Sequence, residues 1–290
     1  MKRLLAVLLG STALAACAAP FAQSETPGQA LAAAAQKMSQ LQSAKFDVNG
    51  TVTMQLPPAL ALLLNQEGTG AAAGNLAISL KGTGEVQFPD RMHASMTSHL
   101  GGLTVTTEEI LVGGKGYVRN PLTGKWSAAQ STSLSDQLSE PDPLNASQLL
   151  GSAKDVKDLG DTTFDGVAVH HYRLTLDQAK LTQKLQDLPT LKGNAQAQQA
   201  FSQILQKGTI TLEVWFGKSD HLVRQIVSDA RLSFNPSDVV QGLGTGRGTQ
   251  GLPARGATAS PAATSQVTAH AVIHYHDFNS PVTVSAPKVG

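Results

Sequence analysis

The chain has 290 residues, a formal net charge of +1 and only 4% aromatic residues. A net charge this close to zero gives no electrostatic basis for a nucleic-acid partner. The length allows one large β domain or two small ones.

The first 17 residues have the pattern of a bacterial lipoprotein export signal. Two basic residues precede the apolar stretch 4–14, which is too short to span a bilayer and has the length of a signal-peptide core. The sequence Leu14-Ala15-Ala16-Cys17 then matches the lipobox, in which small residues fit the signal peptidase and the thiol accepts a diacylglyceryl group. We therefore expect removal of residues 1–16 and acylation of Cys17, by chains such as palmitate.

An ordinary signal peptide with a free thiol is the alternative. It is disfavoured because the only cysteine of the chain stands at the lipobox position, and a free thiol would be a liability in an oxidising compartment. Two or three acyl chains, at about 0.8 kcal/mol per buried CH₂, suffice for stable attachment. The sequence thus predicts an extracytoplasmic protein of the cell membrane or envelope, anchored by lipid through a tether at 17–27, with no cofactor apart from that lipid.

After the tether, an amphipathic helix is predicted from Thr26-Pro27 to about Ala44, and a period of two then indicates antiparallel strands. A further short segment, 162–164, precedes the turn Asp165-Gly166. The main strands are predicted at 46–56, 76–88, 91–100, 103–112, 116–119, around Trp126, and at 167–176, 209–216, 222–234 and 267–278. Ten or eleven strands curl into an open or closed barrel rather than a flat sheet.

Short helical segments interrupt the strands. They are predicted at 59–64, at 145–150 after Asn145, at 178–188 after Asp177 and at 194–207. Residues 241–266 are rich in Gly, Ala, Ser and Thr without periodicity, which predicts a flexible low-complexity loop inside a single domain of residues 28–290.

Each long strand contributes one apolar face, and only a few helices are available to cover the sheet. Complete coverage would give an ordinary α+β core, whereas partial coverage would leave an apolar cavity suited to acyl chains. Small residues such as Gly82 and Gly84 remove side-chain volume or permit curvature. The candidate cavity residues are Val48, Val52, Met54, Ile78, Leu80, Val86, Met92, Met96, Leu212, Val214 and Phe216.

Five segments together resemble the LppX/LprG-type lipoproteins of the LolA/LolB-like lipid-binding superfamily: F-x-V-x-G-T-V at 46–52, G-x-G-x-V-x-F-P-D-R at 82–91, and residues 112–126, 214–224 and 272–287. The resemblance implies an α+β fold, a strongly curved and unclosed antiparallel half-barrel with helices covering its concave face. It also implies lipid, glycolipid or lipoprotein acyl chains as ligands, carried or presented across the cell envelope, with an envelope transporter as a candidate partner.

Catalytic and metal-binding motifs find little support. The sequence has no G-x-S-x-G, H-E-x-x-H, P-loop or Rossmann motif, so we expect no enzyme. His270, His274 and His276 share one face of the last strand, but the first two lie roughly 13 Å apart along it, too far for one ion. Only the latter two could share a metal, so we interpret all three as surface residues on a solvated edge strand and expect no metal site.

A second class of function remains open on the sequence alone. The same half-barrel could serve as an envelope interaction or sensor protein without a ligand, in which case side chains would fill the concave face. This alternative and lipid carriage differ in whether the apolar face is occupied by protein.

Acylation at Cys17 has a direct test. We expect Cys17→Ala to abolish incorporation of labelled palmitate and to remove the mature-chain lipid mass, because no other thiol is present. Intact-mass spectrometry of membrane extracts measures both. Ser11→Ala is the matched control, and loss of lipid in that variant, or retention of lipid in Cys17→Ala, would contradict the assignment.

Overall fold

A single antiparallel sheet of eleven strands dominates the computed structural model, which describes residues 25–55, 74–129, 152–186, 195–234 and 265–290. In chain order the elements are α1 (Pro27–Ser39), β1 (Ser43–Gln55), β2 (Asn75–Gln87), β3 (Arg91–Leu100), β4 (Leu103–Val112), β5 (Lys115–Arg119), β6 (Trp126–Ala129), β7 (Ala153–Phe164), β8 (Val167–Leu176), α2 (Gln178–Gln186), α3 (Ala195–Gln206), β9 (Thr209–Gly217), β10 (Val223–Phe234) and β11 (Ser265–His276).

The strand order is β6-β5-β4-β3-β2-β1-β11-β10-β9-β8-β7, and all neighbours are antiparallel. Because β6 and β7 are not paired with each other, the sheet is open, as the sequence predicted. Its centre is the pairing of β1 with β11, which joins the two ends of the domain. None of the described helices is long and apolar enough to cross a membrane.

Most predicted elements are present, and the differences have local causes. The first helix ends at Ser39 and not near Ala44, because the period of two starts at once with β1. Strand β7 is much longer than the predicted segment 162–164, since its charged residues hide the alternation. The predicted helices at 59–64 and 145–150 lie outside the described residues. So does the predicted loop 241–266, except that its last two residues belong to β11.

Helix α1 begins with the predicted cap. The Thr26 hydroxyl accepts a hydrogen bond from the Gln29 backbone N–H, while the Gln29 side chain accepts one from the Thr26 backbone N–H. Its buried side chains recur on one face, at Ala30, Leu31, Ala34 and Met38. Each large one of these contributes about 1.5–3 kcal/mol by leaving water, so α1 is held chiefly by this face.

One end of the sheet is closely packed, and we call it the packed end. There α1 shares a core cluster with Ala44, Val86, Met92, Leu111 and Tyr275, all of which are buried. The C-terminal tail crosses the same end, where the Asn279 N–H donates to the Ser43 carbonyl and the Arg91 guanidinium donates to the Val284 carbonyl. A bridge between Val289 and Trp126 brings the tail to the edge strand β6.

The glycines of β2 are covered by neighbouring side chains. A Cβ on Gly84 would overlap the Phe46 ring, and a Cβ on Gly82 would overlap the Met96 side chain. The volume that these glycines free is therefore occupied by Phe46 and Met96, a close contact that the sequence pattern alone did not specify.

We expect Gly84→Ala to lower the free energy of unfolding by about 1–3 kcal/mol, because the Phe46 ring must shift within a packed core. Urea denaturation measures the change. Gly50→Ala is the matched control on the same face of the neighbouring strand, since its added Cβ would meet only ordinary contacts, 3.4 Å or longer. Equal destabilisation by both substitutions would show that strand glycine itself, and not Phe46 packing, sets the cost.

Candidate functional site: the apolar face of the sheet

Strand register places apolar residues from distant parts of the chain in rows across one face. Val48 lies opposite Gly82 on one side and Ile273 on the other. The same row continues through Ile226 to Val214. Since side chains alternate between faces of a strand, the residues two positions along lie on the same side. We call this side the apolar face and the opposite side the polar face.

All eleven predicted cavity residues have positions on the apolar face, but their burial divides them into two groups. The buried group belongs to the core or its edge and consists of Val86, Met92, Leu212, Val214 and Phe216. The other group is only partly buried and consists of Val48, Val52, Met54, Ile78, Leu80 and Met96. The structure thus brings the eleven residues together, while their contact with a ligand stays a prediction.

The partly buried group leads toward the end of strands β1–β4 that lies opposite α1, which we call the open end. There the β3–β4 hairpin presents Leu103 and Val105 on the apolar face, with 56% and 38% of their surfaces exposed. Ile273 and Ile226 extend the face between the two groups. These four residues were not among the predicted cavity residues, although the period of two in β4, β10 and β11 contains the necessary signal.

One charged residue stands on this face. Glu109 lies opposite Ala94 on β3 and Val118 on β5, and burial raises the pKa of its carboxyl. Its chain neighbour Glu108 points to the polar face and accepts hydrogen bonds from Arg119 (2.8 Å) and His93 (3.0 Å). The Arg119 hydrogen bond is the main cause that lowers the Glu108 pKa, with burial opposing it and His93 assisting.

The histidines of the last strand occupy the polar face, each beside its own carboxylate. His270 lies 2.9 Å from Asp229, and His274 lies 2.9 Å from Asp165. His276 lies 3.5 Å from both Asp47 and Asp277. The expectation of a solvated edge strand was wrong in one respect, because β11 is paired on both sides, between β1 and β10.

The described histidines do not form a metal-binding cluster. Within the described parts of the chain, no three or more His, Cys, Asp or Glu side chains are grouped so that they could hold an ion. His170 and His171, the other candidates, lie beside Asp161 (2.7 Å) and Glu213 (2.8 Å). His171 lies with Glu213 on the polar face, whereas His170 lies opposite Phe216 and beside Tyr172, on the apolar face.

The fold and its apolar face define an open antiparallel half-barrel. A scan with protein-family models and a search of curated proteins gave no match. Among solved structures, the chain is similar to LprF from Mycobacterium bovis, at 13% identity and a TM-score of 0.46, over 91% of this chain and 97% of that chain.

It is also similar to the lipoprotein LppX of Mycobacterium tuberculosis, at 14% identity and a TM-score of 0.42, over 90% of this chain and all of that chain. A LolA superfamily protein from Nitrosomonas europaea matches at 8% identity and a TM-score of 0.24, over 86% and 93% of the two chains. These neighbours are of the kind that the sequence predicted. Likeness at this level concerns the strand arrangement and says nothing about ligand or activity.

The two adjacent glutamates should respond to pH in opposite ways. Because burial raises the Glu109 pKa, its ionisation destabilises the fold as pH rises above about 4.3, the ordinary value. Glu109→Gln should therefore raise the Tm at neutral pH, and this gain should vanish at low pH, where the native carboxyl is protonated.

Glu108→Gln is the matched control and should lower the Tm at neutral pH, since the folded state favours the ionised form of Glu108. That loss should also disappear as pH falls through the lowered pKa. Calorimetry from acid to neutral pH measures both variants, and a Tm decrease in Glu109→Gln at neutral pH would contradict the assignment.

Proposed function

We propose that this chain is a lipid-anchored envelope protein that binds acyl chains on its apolar face and carries or presents them. One observation carries the proposal: apolar side chains from β1, β2 and β3 form a continuous surface that the described protein only partly covers. The central members are Val52, Ile78, Leu80 and Met96. An acyl chain laid along this surface would complete the burial that the protein leaves unfinished.

Solvation, and not catalysis, is the proposed mechanism. Each CH₂ that moves from water to the apolar face contributes about 0.8 kcal/mol, so part of one chain is enough for useful affinity. Methionine side chains suit this role because a flexible thioether adapts to chains of different shape. Met54 and Met96 both belong to the partly buried group.

The start of α1 and the open end lie at opposite ends of the sheet, so the proposed tether would reach the packed end. Helix α1 starts beside the β9–β10 turn, where Glu25 lies 3.0 Å from His221, and this turn belongs to the packed end. From Cys17 to Glu25 the chain spans at most roughly 28 Å when extended. The anchor therefore holds the domain near a membrane by its packed end and leaves the open end for exchange with lipid, or with an envelope transporter.

An interaction or sensor function is the second candidate, and one observation favours it. Five of the eleven candidate residues are buried in the core, and Val214 and Phe216 have no exposed surface. Protein already fills that part of the apolar face. If the rest is filled in the same way when the protein works, the half-barrel would present its polar face to a partner and hold no ligand.

Native mass spectrometry separates the two candidates. The full chain carrying Cys17→Ala is used, so that lipid mass cannot come from the anchor. We expect reproducible lipid adducts that solvent extraction removes, and we expect Val52→Asp to reduce them at least about tenfold, because a carboxylate on the apolar face opposes hydrocarbon burial.

Thr53→Asp is the matched control, since Thr53 is the next residue of β1 and faces the polar side. It should leave the adducts unchanged. A clean mass without adducts, together with no uptake of a fluorescent fatty acid or phospholipid, would contradict lipid binding and favour the interaction function.

A further inference from the structure

The apolar face has a single charged position across most of the sheet. In the eight described strands β1–β6, β9 and β11, every other residue with an apolar-face position is uncharged, and only Glu109 carries a carboxylate. Random placement of charge does not produce this pattern, because the polar face of the same strands carries many charges. Glu109 is therefore an exception to the separation of charge between the two faces.

Glu109 lies among the proposed cavity residues. It is directly opposite Ala94, so its diagonal neighbours on β3 are Met92 and Met96. Alanine is too short to cover a glutamate side chain, and Val118 on the other side offers no polar atom of its side chain. The carboxylate thus borders the transition from the buried group to the partly buried group.

No described residue pairs with this carboxylate. Glu108, one position away, has Arg119 and His93 beside it, but both lie with it on the polar face. Burial without a partner disfavours the charged form of Glu109 and raises its pKa. A carboxylate held in this way is a typical feature of a binding site, where a ligand supplies the missing hydrogen-bond donor.

We propose that Glu109 selects the polar group of the bound lipid, accepting neutral, hydroxyl-bearing head groups and rejecting anionic ones. The inference rests on the proposed lipid binding. A ligand hydroxyl would donate a hydrogen bond to the Glu109 carboxylate, which is stronger than one to a neutral acceptor. An anionic head group would meet a like charge in surroundings that screen it poorly, with a loss in affinity of about tenfold or more.

The test compares two photoreactive probes with the same acyl chain, a fatty acid and a monoacylglycerol. Cross-linking to the full chain carrying Cys17→Ala is measured by intact-mass spectrometry at about pH 8, well above the ordinary pKa of a carboxyl group. We expect about tenfold more cross-linking of the monoacylglycerol. Glu109→Gln should reduce the preference to about twofold or less, by admitting the fatty acid, whereas Glu109→Asp should retain it.

Glu108→Gln is the matched control on the opposite face and should keep the full preference. Thermal unfolding shows that each variant is folded. An unchanged preference in Glu109→Gln would overturn the proposed selection but not lipid binding. An equal loss of preference in Glu108→Gln would also overturn it, because the effect would then not be specific to the apolar face. Absence of cross-linking by both probes in the parent chain would overturn the proposed lipid binding itself.

Discussion

The structure depends on removing one face of an antiparallel sheet from water. Alternation along most of the eleven strands gives the sheet one apolar side, and the burial of that side is the main stabilising contribution in a chain with no disulfide. Helix α1 and the C-terminal tail can cover only the packed end. The balance between covered and uncovered apolar surface therefore decides both the stability of the domain and its capacity to bind hydrocarbon.

In β1–β4, packing changes along the length of the strands. At the packed end, the Phe46 ring lies against Gly84 and occupies the space that a side chain at that position would need. Toward the open end, side chains such as Val52 and Ile78 remain partly exposed. A face of this kind serves as core at one end and as a potential binding surface at the other. The two candidate functions differ in how far the filled part extends.

Charge is separated between the two faces almost completely. On the polar face, carboxylates lie beside arginine, lysine or histidine, as Glu213 lies beside Arg173 and His171. Such partly exposed pairs contribute modestly to stability. Glu109 on the apolar face differs from these carboxylates, because no described cation lies beside it. Glu109 is set apart from Glu108 only by the alternation of side chains along β4, so one step along the chain changes a paired carboxylate into an unpaired one.

Much of the fold could be predicted because the period of two is a local property. The bounds of β3, β4 and β8 follow from alternation alone, and the cap of α1 from Thr26 and Pro27. Strand β7 was underestimated, since an edge strand exposed on most sides has no need of an apolar row. The eleven candidate residues were assigned to one face from their parity within each strand.

The sequence by itself predicts the export signal with Cys17, and it determined most of the strands and the side of the sheet to which their residues point, because these properties depend on near neighbours in the chain. Only the tertiary structure decided which apolar side chains are buried by other parts of the protein. It alone also decided that β11 lies between β1 and β10 and that Glu109 has Ala94 and Val118 beside it. The reason is that register joins residues more than two hundred positions apart, such as Val48 and Ile273. No local pattern contains that pairing.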